Sequence, residues 1–341
     1  MIEWHSRAPV RFCDLGGWTD TRIVRSGAVL NFAAKMYTYV ALRIQEGDGQ
    51  VTLESLDTDE RSTFQSIRQM EYDGVLDLLK AALNRATSEL PNRDLLTNRW
   101  NVTVLIRSDA PPASGLGSSA ALGVAAIGCL AAHHRKFQLP HESARQAHLL
   151  EVEDLKLECG VQDQFAAAYG GVNFMETEYP SARVFPIPLS PAAQCELEDR
   201  FVLVYTGRSR LSSAIHQKVM SESSKNHRTF DELVQSAIVG KEALLRHDFD
   251  AFAAAMNGNW NAQKSLHPEI TTAEIEELHR QVFQAGAAGF KVNGAGGGGT
   301  VTILAKQNHA ARIKRVAEEL GMVTLPALID TTGLQVWKVE T

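Results

Sequence analysis

A strand-like run at residues 102–106 gives way to Pro111-Pro112-Ala113-Ser114-Gly115-Leu116-Gly117-Ser118-Ser119-Ala120. That segment opens in turn into Ala/Leu/Gly/Val-rich sequence reaching about Ala132. Strand, glycine loop and helix start in that order aim several free backbone N–H groups, and the positive end of a helix, at one point. Such a point suits phosphate. Ser118 and Ser119 fall in the first helical turn, where a hydroxyl can cap the helix or touch a metal bound to that phosphate. No Gly-Lys-Ser/Thr follows, which excludes a Walker A loop. Gly115, Gly117 and Ala120 do satisfy G-x-G-x-x-A. The acidic strand end that a dinucleotide site needs is missing, because residues 133–140 read His-His-Arg-Lys-Phe-Gln-Leu-Pro. On the residues alone a phosphate loop and a plain tight strand-to-helix turn both stay open.

With 341 residues the chain is long enough for two domains at roughly 150 residues each. The polar, two-proline stretch 188–199 is the expected join, giving units at 1–190 and 200–341. A formal net charge of −6 argues against nucleic acid as the main partner. The longest apolar run, 120–132, is too short to span a bilayer, and no leader-like segment opens the chain, so a cytoplasmic protein is expected. Cys13, Cys129, Cys159 and Cys195 are widely spaced and expected to be reduced and mostly buried.

Before the loop, apolar segments at 9–15 and 28–44 flank the turn Gly16-Gly17-Trp18-Thr19-Asp20, and Gly47-Asp48-Gly49 reads as a hairpin turn. Arg11 and Asp20 are the notable charges there; either serves equally well as an ordinary strand or turn residue. Helical spacing covers 73–90 and 141–157. In the second of these, Glu151, Glu153 and Asp154 suit a solvated face. Asp163, in Cys159-Gly160-Val161-Gln162-Asp163-Gln164, reads as the N-cap of a short helix or as a carboxylate presented to a cleft. After strand 201–205 come amphipathic helices near 213–218, 230–245 and 249–264. Thr271-x-x-Glu274 reads as the capping box of a helix reaching Ala285. Arg208, Arg210 and Lys218 form a basic group suited to an anion or to surface ion pairs. Finally, Lys291-Val292-Asn293-Gly294-Ala295-Gly296-Gly297-Gly298-Gly299 runs into a strand, not a helix. Five glycines in six residues are a large conformational cost, justified where backbone must pass close to something bulky.

Three glycine-bearing motifs in this order resemble those of the GHMP small-molecule kinases, the family of galactokinase, homoserine kinase and mevalonate kinase. The 112–120 segment looks like the family's ATP phosphate loop. The 293–299 segment looks like its third motif, and Arg7-Ala8-Pro9-Val10-Arg11 with the 16–20 turn looks like its first. The resemblance implies an α+β fold, with an N-terminal α/β domain of the ribosomal S5 domain 2 type and a ferredoxin-like C-terminal domain, ATP and substrate lying between them. It implies ATP held by Pro112, Ser114, Gly115, Leu116, Gly117, Ser118, Ser119 and Ala120. Mg²⁺ would sit on Ser119 and Glu151, with Glu153 near enough to compete. Asp163 would be the catalytic base, held by Arg11.

Within the family the chain is most similar to the anomeric sugar kinases. Residues 160–174, 205–210 and 267–270 are similar to those of kinases acting on heptose 7-phosphate, whereas Leu15-Gly16-Gly17-Trp18-Thr19-Asp20 is nearer the fucokinase version. The implied activity is phosphorylation of the C1 hydroxyl of heptose 7-phosphate, in the synthesis of nucleotide-activated heptose for surface polysaccharide; L-fucose 1-kinase is the alternative. Substrate contacts would come from Gly16, Gly17, Trp18, Thr19, Asp20, Asp163, Gly296 and Gly297, with Arg208 and Arg210 meeting the 7-phosphate. The expected partner is therefore a small-molecule sugar or sugar phosphate, with no nucleic acid or membrane, and a homodimer is allowed for. A catalytically silent sugar- and ATP-binding regulator and an ATP-driven decarboxylase are readings from other classes. Asp163 with Arg11 argues against the first, and the sugar-type 160–164 segment against the second.

Overall fold

A computed structural model describes residues 1–88, 99–208, 212–221 and 226–340. Two sheets organise them. The larger takes β1 (Ile2–Leu15), β2 (Gly27–Glu46), β3 (Val51–Ser55), β4 (Arg61–Phe64) and β5 (Trp100–Ser108), with β6 (Val172–Glu178) and β7 (Ser181–Pro186). The smaller takes β8 (Phe201–Tyr205), β9 (Ala287–Val292), β10 (Thr300–Ala305) and β11 (Val323–Leu325), in the antiparallel order β11-β8-β10-β9. β12 (Gln335–Val339) returns to the larger sheet and pairs with β1, giving the order β12-β1-β2-β5-β3-β4. The last strand of the chain thus lies in the sheet of its first half. The stretch 188–199 is for the most part helix α5 (Pro191–Arg200, in order after those below), capped by Ser190.

β2 is the spine of the larger sheet. Its first residues pair with β6 and its last with β5, while β1 runs along its other edge. The β1–β2 register slips between Pro9 and Arg11 and again between Phe12 and Leu15. Slips of this kind bend a strand and re-aim its side chains, and here they fall on Arg11 and Asp14. Helices α1 (Asp77–Ser88), α2 (Ser118–His133), α3 (Pro140–Leu149) and α4 (Gln162–Tyr169) form one layer, α2 and α4 lying against β1 and β2. Beyond α6 (Ser212–Ser221), α7 (His227–Leu245) and α8 (Phe249–Ser265) pack on each other and reach both sheets. α9 (Ala273–Ala285) and α10 (Ala310–Glu319) pair beside the smaller sheet. Phe12, Phe32, Phe201 and Phe252 meet edge-on where the sheets join, with Phe201 5.3 Å from both Phe12 and Phe32. This two-domain, mixed α and β architecture is the expected one.

Several local expectations change. Gly47-Asp48-Gly49 closes no hairpin, because β5 pairs with β2 on one side and runs parallel to β3 on the other; Asn101 Oδ1 holds the turn instead by accepting from Asp48, Gly49 and Gln50 N–H. The α9 cap is Thr272, whose hydroxyl accepts from Ile275 N–H, while Thr271 Oγ1 donates to Glu276 at 2.8 Å. Helix 141–157 stops being α-helical after Leu149 and continues as a π turn over Leu150–Asp154. Of the four cysteines, all free, Cys13 and Cys129 are buried, Cys159 is half-buried and Cys195 exposed.

Candidate active site

The phosphate-loop segment leaves β5 and enters α2 through Gly117, a left-handed N-cap at φ 73°, so neither Ser118 nor Ser119 caps the helix. Both serines line a cleft of about 440 Å³, into which α2 points its N–H end. A Cβ on Gly117 would stand 2.9 Å from Asp163 Oδ2, so only glycine lets the loop and that carboxylate meet. Ser114, Leu116 and Ala120 are buried. The Leu116 carbonyl accepts from Arg11 N–H at 2.9 Å. Pro112 is exposed and is not among the residues lining the cleft.

Asp163 lies in the first turn of α4, whose N-cap is Val161, so it does not cap the helix and its side chain is free to face the cleft. Arg11 donates to it twice, Nε to Oδ1 at 2.8 Å and an NH2 to Oδ2 at 3.1 Å, and donates its other amine to the Gly115 carbonyl. Arg11 is 4% exposed. Burial works against its charge, yet Asp163 first, then Asp14 and Asp20, raise its pKa. A strand cation that its residues alone leave as an ordinary strand residue is here the buried tie between loop and carboxylate, the pairing that the resemblance implies.

Asp20 is also buried and accepts from Gln162 N–H at 3.0 Å; burial lifts its pKa to about 6 against that bond. Around it, Thr19 Oγ1 donates to the Gly16 carbonyl at 2.7 Å, and Gly17 lies against the Asp14 carboxylate. Trp18, at φ 79°, lines the cleft and packs into the apolar core of the smaller sheet.

Glu151 overturns the solvated-face reading: the π turn carries it inward, 6% exposed, where Ser119 Oγ donates to Oε1 at 3.3 Å. π turns of this kind often sit at functional sites. Glu153 points outward to Arg85 at 3.0 Å. Burial pushes the Glu151 carboxyl up to about 7, against bonds from Cys159, Ser119 and Gln164. A buried carboxylate beside a hydroxyl at a helix N-terminus fits a hard divalent cation. Among the described residues no group of three or more His, Cys, Asp or Glu gathers as a metal cage. Ser119 Oγ and the Glu151 carboxylate are oxygen donors of the kind that a hard cation such as Mg²⁺ takes.

The third glycine segment closes the cleft. Gly296 lines it, while Gly297 N–H is tied to the Ile270 carbonyl at 2.7 Å. Arg208, 64% exposed at its side chain, pairs with Glu274 at 2.7 Å outside the lining, and its carbonyl accepts from Gly299 N–H. Lys218 pairs with Glu269 at 2.5 Å, and Arg210 lies outside the described residues. Sequence reasoning did not single out Asp14 or Gln162, which line the cleft, nor Asn259 and Lys291, which hold its glycine segments from outside the lining. Gln162 stood beside Asp163 in a segment already noted and Lys291 just before the glycine run; Asp14 and Asn259 carried no signal. Asn293, quoted there as part of the run, accepts at Oδ1 from Cys13 N–H and from Thr302 Oγ1.

Residues 77–171 match the family described as GHMP kinases N terminal domain, and residues 241–321 match GHMP kinases C terminal. Over 99% of its length the chain is 30% identical to the whole of the D-glycero-alpha-D-manno-heptose 7-phosphate kinase of Campylobacter jejuni subsp. jejuni serotype O:2. It is 27% identical to the L-fucokinase/L-fucose-1-P guanylyltransferase of Bacteroides fragilis, over 94% of this chain and 36% of that one. Among solved structures, a D-glycero-D-manno-heptose 1-phosphate kinase from Bacteroides thetaiotaomicron superposes with a TM-score of 0.79 at 26% identity, covering 99% of this chain and 100% of the other. The match in family, in length and in the convergence of three glycine segments on one Arg–Asp pair gives a single conclusion: the chain belongs to the GHMP kinases.

Proposed function

We propose that the protein is a cytoplasmic kinase that transfers the γ-phosphoryl group of Mg-ATP to the anomeric hydroxyl of a heptose 7-phosphate, forming the 1,7-bisphosphate. The observation that carries the choice of sugar is the 30% identity, from end to end, to a heptose 7-phosphate kinase. Phosphoryl transfer requires in-line positioning, cationic balance at the transferred group and a carboxylate able to accept the hydroxyl proton. Asp163 is that carboxylate, and the Arg11 fork orients it while turning positive charge toward the transferred group. The α2 N-terminus and the backbone of 115–120 cradle the phosphates. Ser119 and Glu151 would hold the Mg²⁺, which supplies charge neutralisation on the phosphate oxygens. Asp20 would accept from a sugar hydroxyl, and Arg208, once released from Glu274, and Arg210 are the contacts proposed for the 7-phosphate.

A second reading, a free-sugar kinase acting on L-fucose, has its own support in the lining charges. Asp20, Glu151, Glu158 and Asp163 line the cleft with Arg11, which is already tied to Asp163, and this is an acidic surround for a substrate that already carries phosphate. ADP release from Mg-ATP against heptose 7-phosphate, mannose 6-phosphate, L-fucose, galactose and mevalonate separates the two. Turnover with the phosphorylated sugars is the expected result. Turnover with L-fucose alone would select the second reading, and none at all despite ATP binding would point to a silent regulator.

A further inference from the structure

Beneath the cleft floor a buried ion pair joins the first and third glycine segments. Lys291 Nζ lies 3.3 Å from Asp14 Oδ1, with both side chains 1% exposed, and also donates to the Val292 carbonyl. The same carboxylate accepts from Gly294 N–H, at 3.3 Å to Oδ1 and 3.2 Å to Oδ2. The other side of that glycine is held too, because its carbonyl accepts from Gln263 Nε2 at 2.9 Å. One turn earlier on α8, Asn259 Oδ1 accepts from Gly16 N–H at 2.7 Å, so a single helix face braces both glycine segments.

Gly294 is pressed against the phosphate loop: a Cβ there would stand 3.0 Å from the Gly115 carbonyl oxygen. That carbonyl also receives Arg11. Thr300 Oγ1 donates to the Ser114 carbonyl at 2.9 Å and completes the contact between the two loops. Burying a charged pair is expensive, and such a pair is weak evidence for stability in itself. Its retention here coincides with a backbone clamp one residue from the Arg11 contact.

We propose that the Asp14–Lys291 pair is a positioning device: it fixes the Gly294 peptide and, through it, the depth of the phosphate loop and the aim of Arg11 at Asp163. A misplacement of about 1 Å can cost about 10²-fold in rate without any direct contact to the reacting groups.

The test reads the nucleotide loop and so does not depend on which sugar is used. In Asp14→Asn the amide keeps an acceptor for Gly294 but strands the Lys291 charge. Mg-ATP affinity should fall about tenfold or more, and amide exchange in peptides covering 294–299 should quicken. Adding Lys291→Met removes the stranded charge and should bring both readings back toward the parent. Gln263→Met, which leaves the ion pair intact, should loosen the same peptide if the single pair variants do not fold. Unchanged ATP affinity and unchanged 294–299 exchange in a folded Asp14→Asn protein would overturn the proposal, as would a Gln263→Met protein whose 294–299 exchange quickens while its ATP affinity holds. So would a double variant that binds ATP no better than Asp14→Asn.

Discussion

At the scale of single residues, the site is a set of buried charges whose pKa values differ because their partners differ. Burial, aided by the neighbouring Asp163 charge, outweighs the backbone bonds that Asp20 accepts and the pull of Arg11, so its pKa rises to about 6 from an ordinary 3.8. A carboxyl raised in this way favours the protonated folded state. Its stabilisation is fully present below pH 4 and is lost as pH rises through 6. Asp20→Asn, neutral throughout, should therefore gain stability over the parent as pH climbs from 4 to 7. The full difference is about 3 kcal/mol for two pKa units. Thermal melts of both proteins across that range check it, and a gap independent of pH would contradict it. The variant should also lose activity, since stability gained at a site is usually lost as function.

Elements explain which parts of this account could be read in advance. The strand-to-helix turn through Gly115 and Gly117 was legible because strand, glycines and helix are consecutive, and local order alone sets where the N–H groups point; its reading as a phosphate loop came from family resemblance. Arg11 and Asp163 were legible only through family resemblance, since 152 residues separate them. The inward turn of Glu151 was legible only through the resemblance, which set it beside Ser119: a π turn at Leu150–Asp154 leaves no mark in helical spacing, which places that carboxylate outside. The Gly47–Gly49 turn was misread for a related reason. A hairpin signal is local, but the strand that lies beside β2 is β5, more than fifty residues on. The α9 start shows the finest grain of the same limit. Two adjacent threonines offer two caps, and the hydroxyl that accepts from the backbone belongs to Thr272. Thr272→Ala should cost about 1 kcal/mol in stability. Thr271→Ala, losing only its bond to Glu276, should cost less; chemical denaturation of the two variants decides between them, and the reverse order would restore the Thr271 cap.

The whole molecule makes the site by bringing distant ends together. Its last strand pairs with its first, its α7–α8 pair spans both sheets, and an aromatic cluster fills the join. The Asp14–Lys291 contact, 277 residues apart in sequence, exists only because of that closure. The account requires that this assembly carry out phosphoryl transfer through Asp163. The most direct measurement is phosphorus NMR of Mg-ATP with heptose 7-phosphate, using the parent protein and Asp163→Asn. The parent should produce a second sugar phosphate at the anomeric carbon. The variant should bind ATP as before yet be slower by about 10²- to 10⁴-fold, the loss expected of a missing general base. An Asp163→Asn protein that forms the same product at the parent's rate would contradict the mechanism.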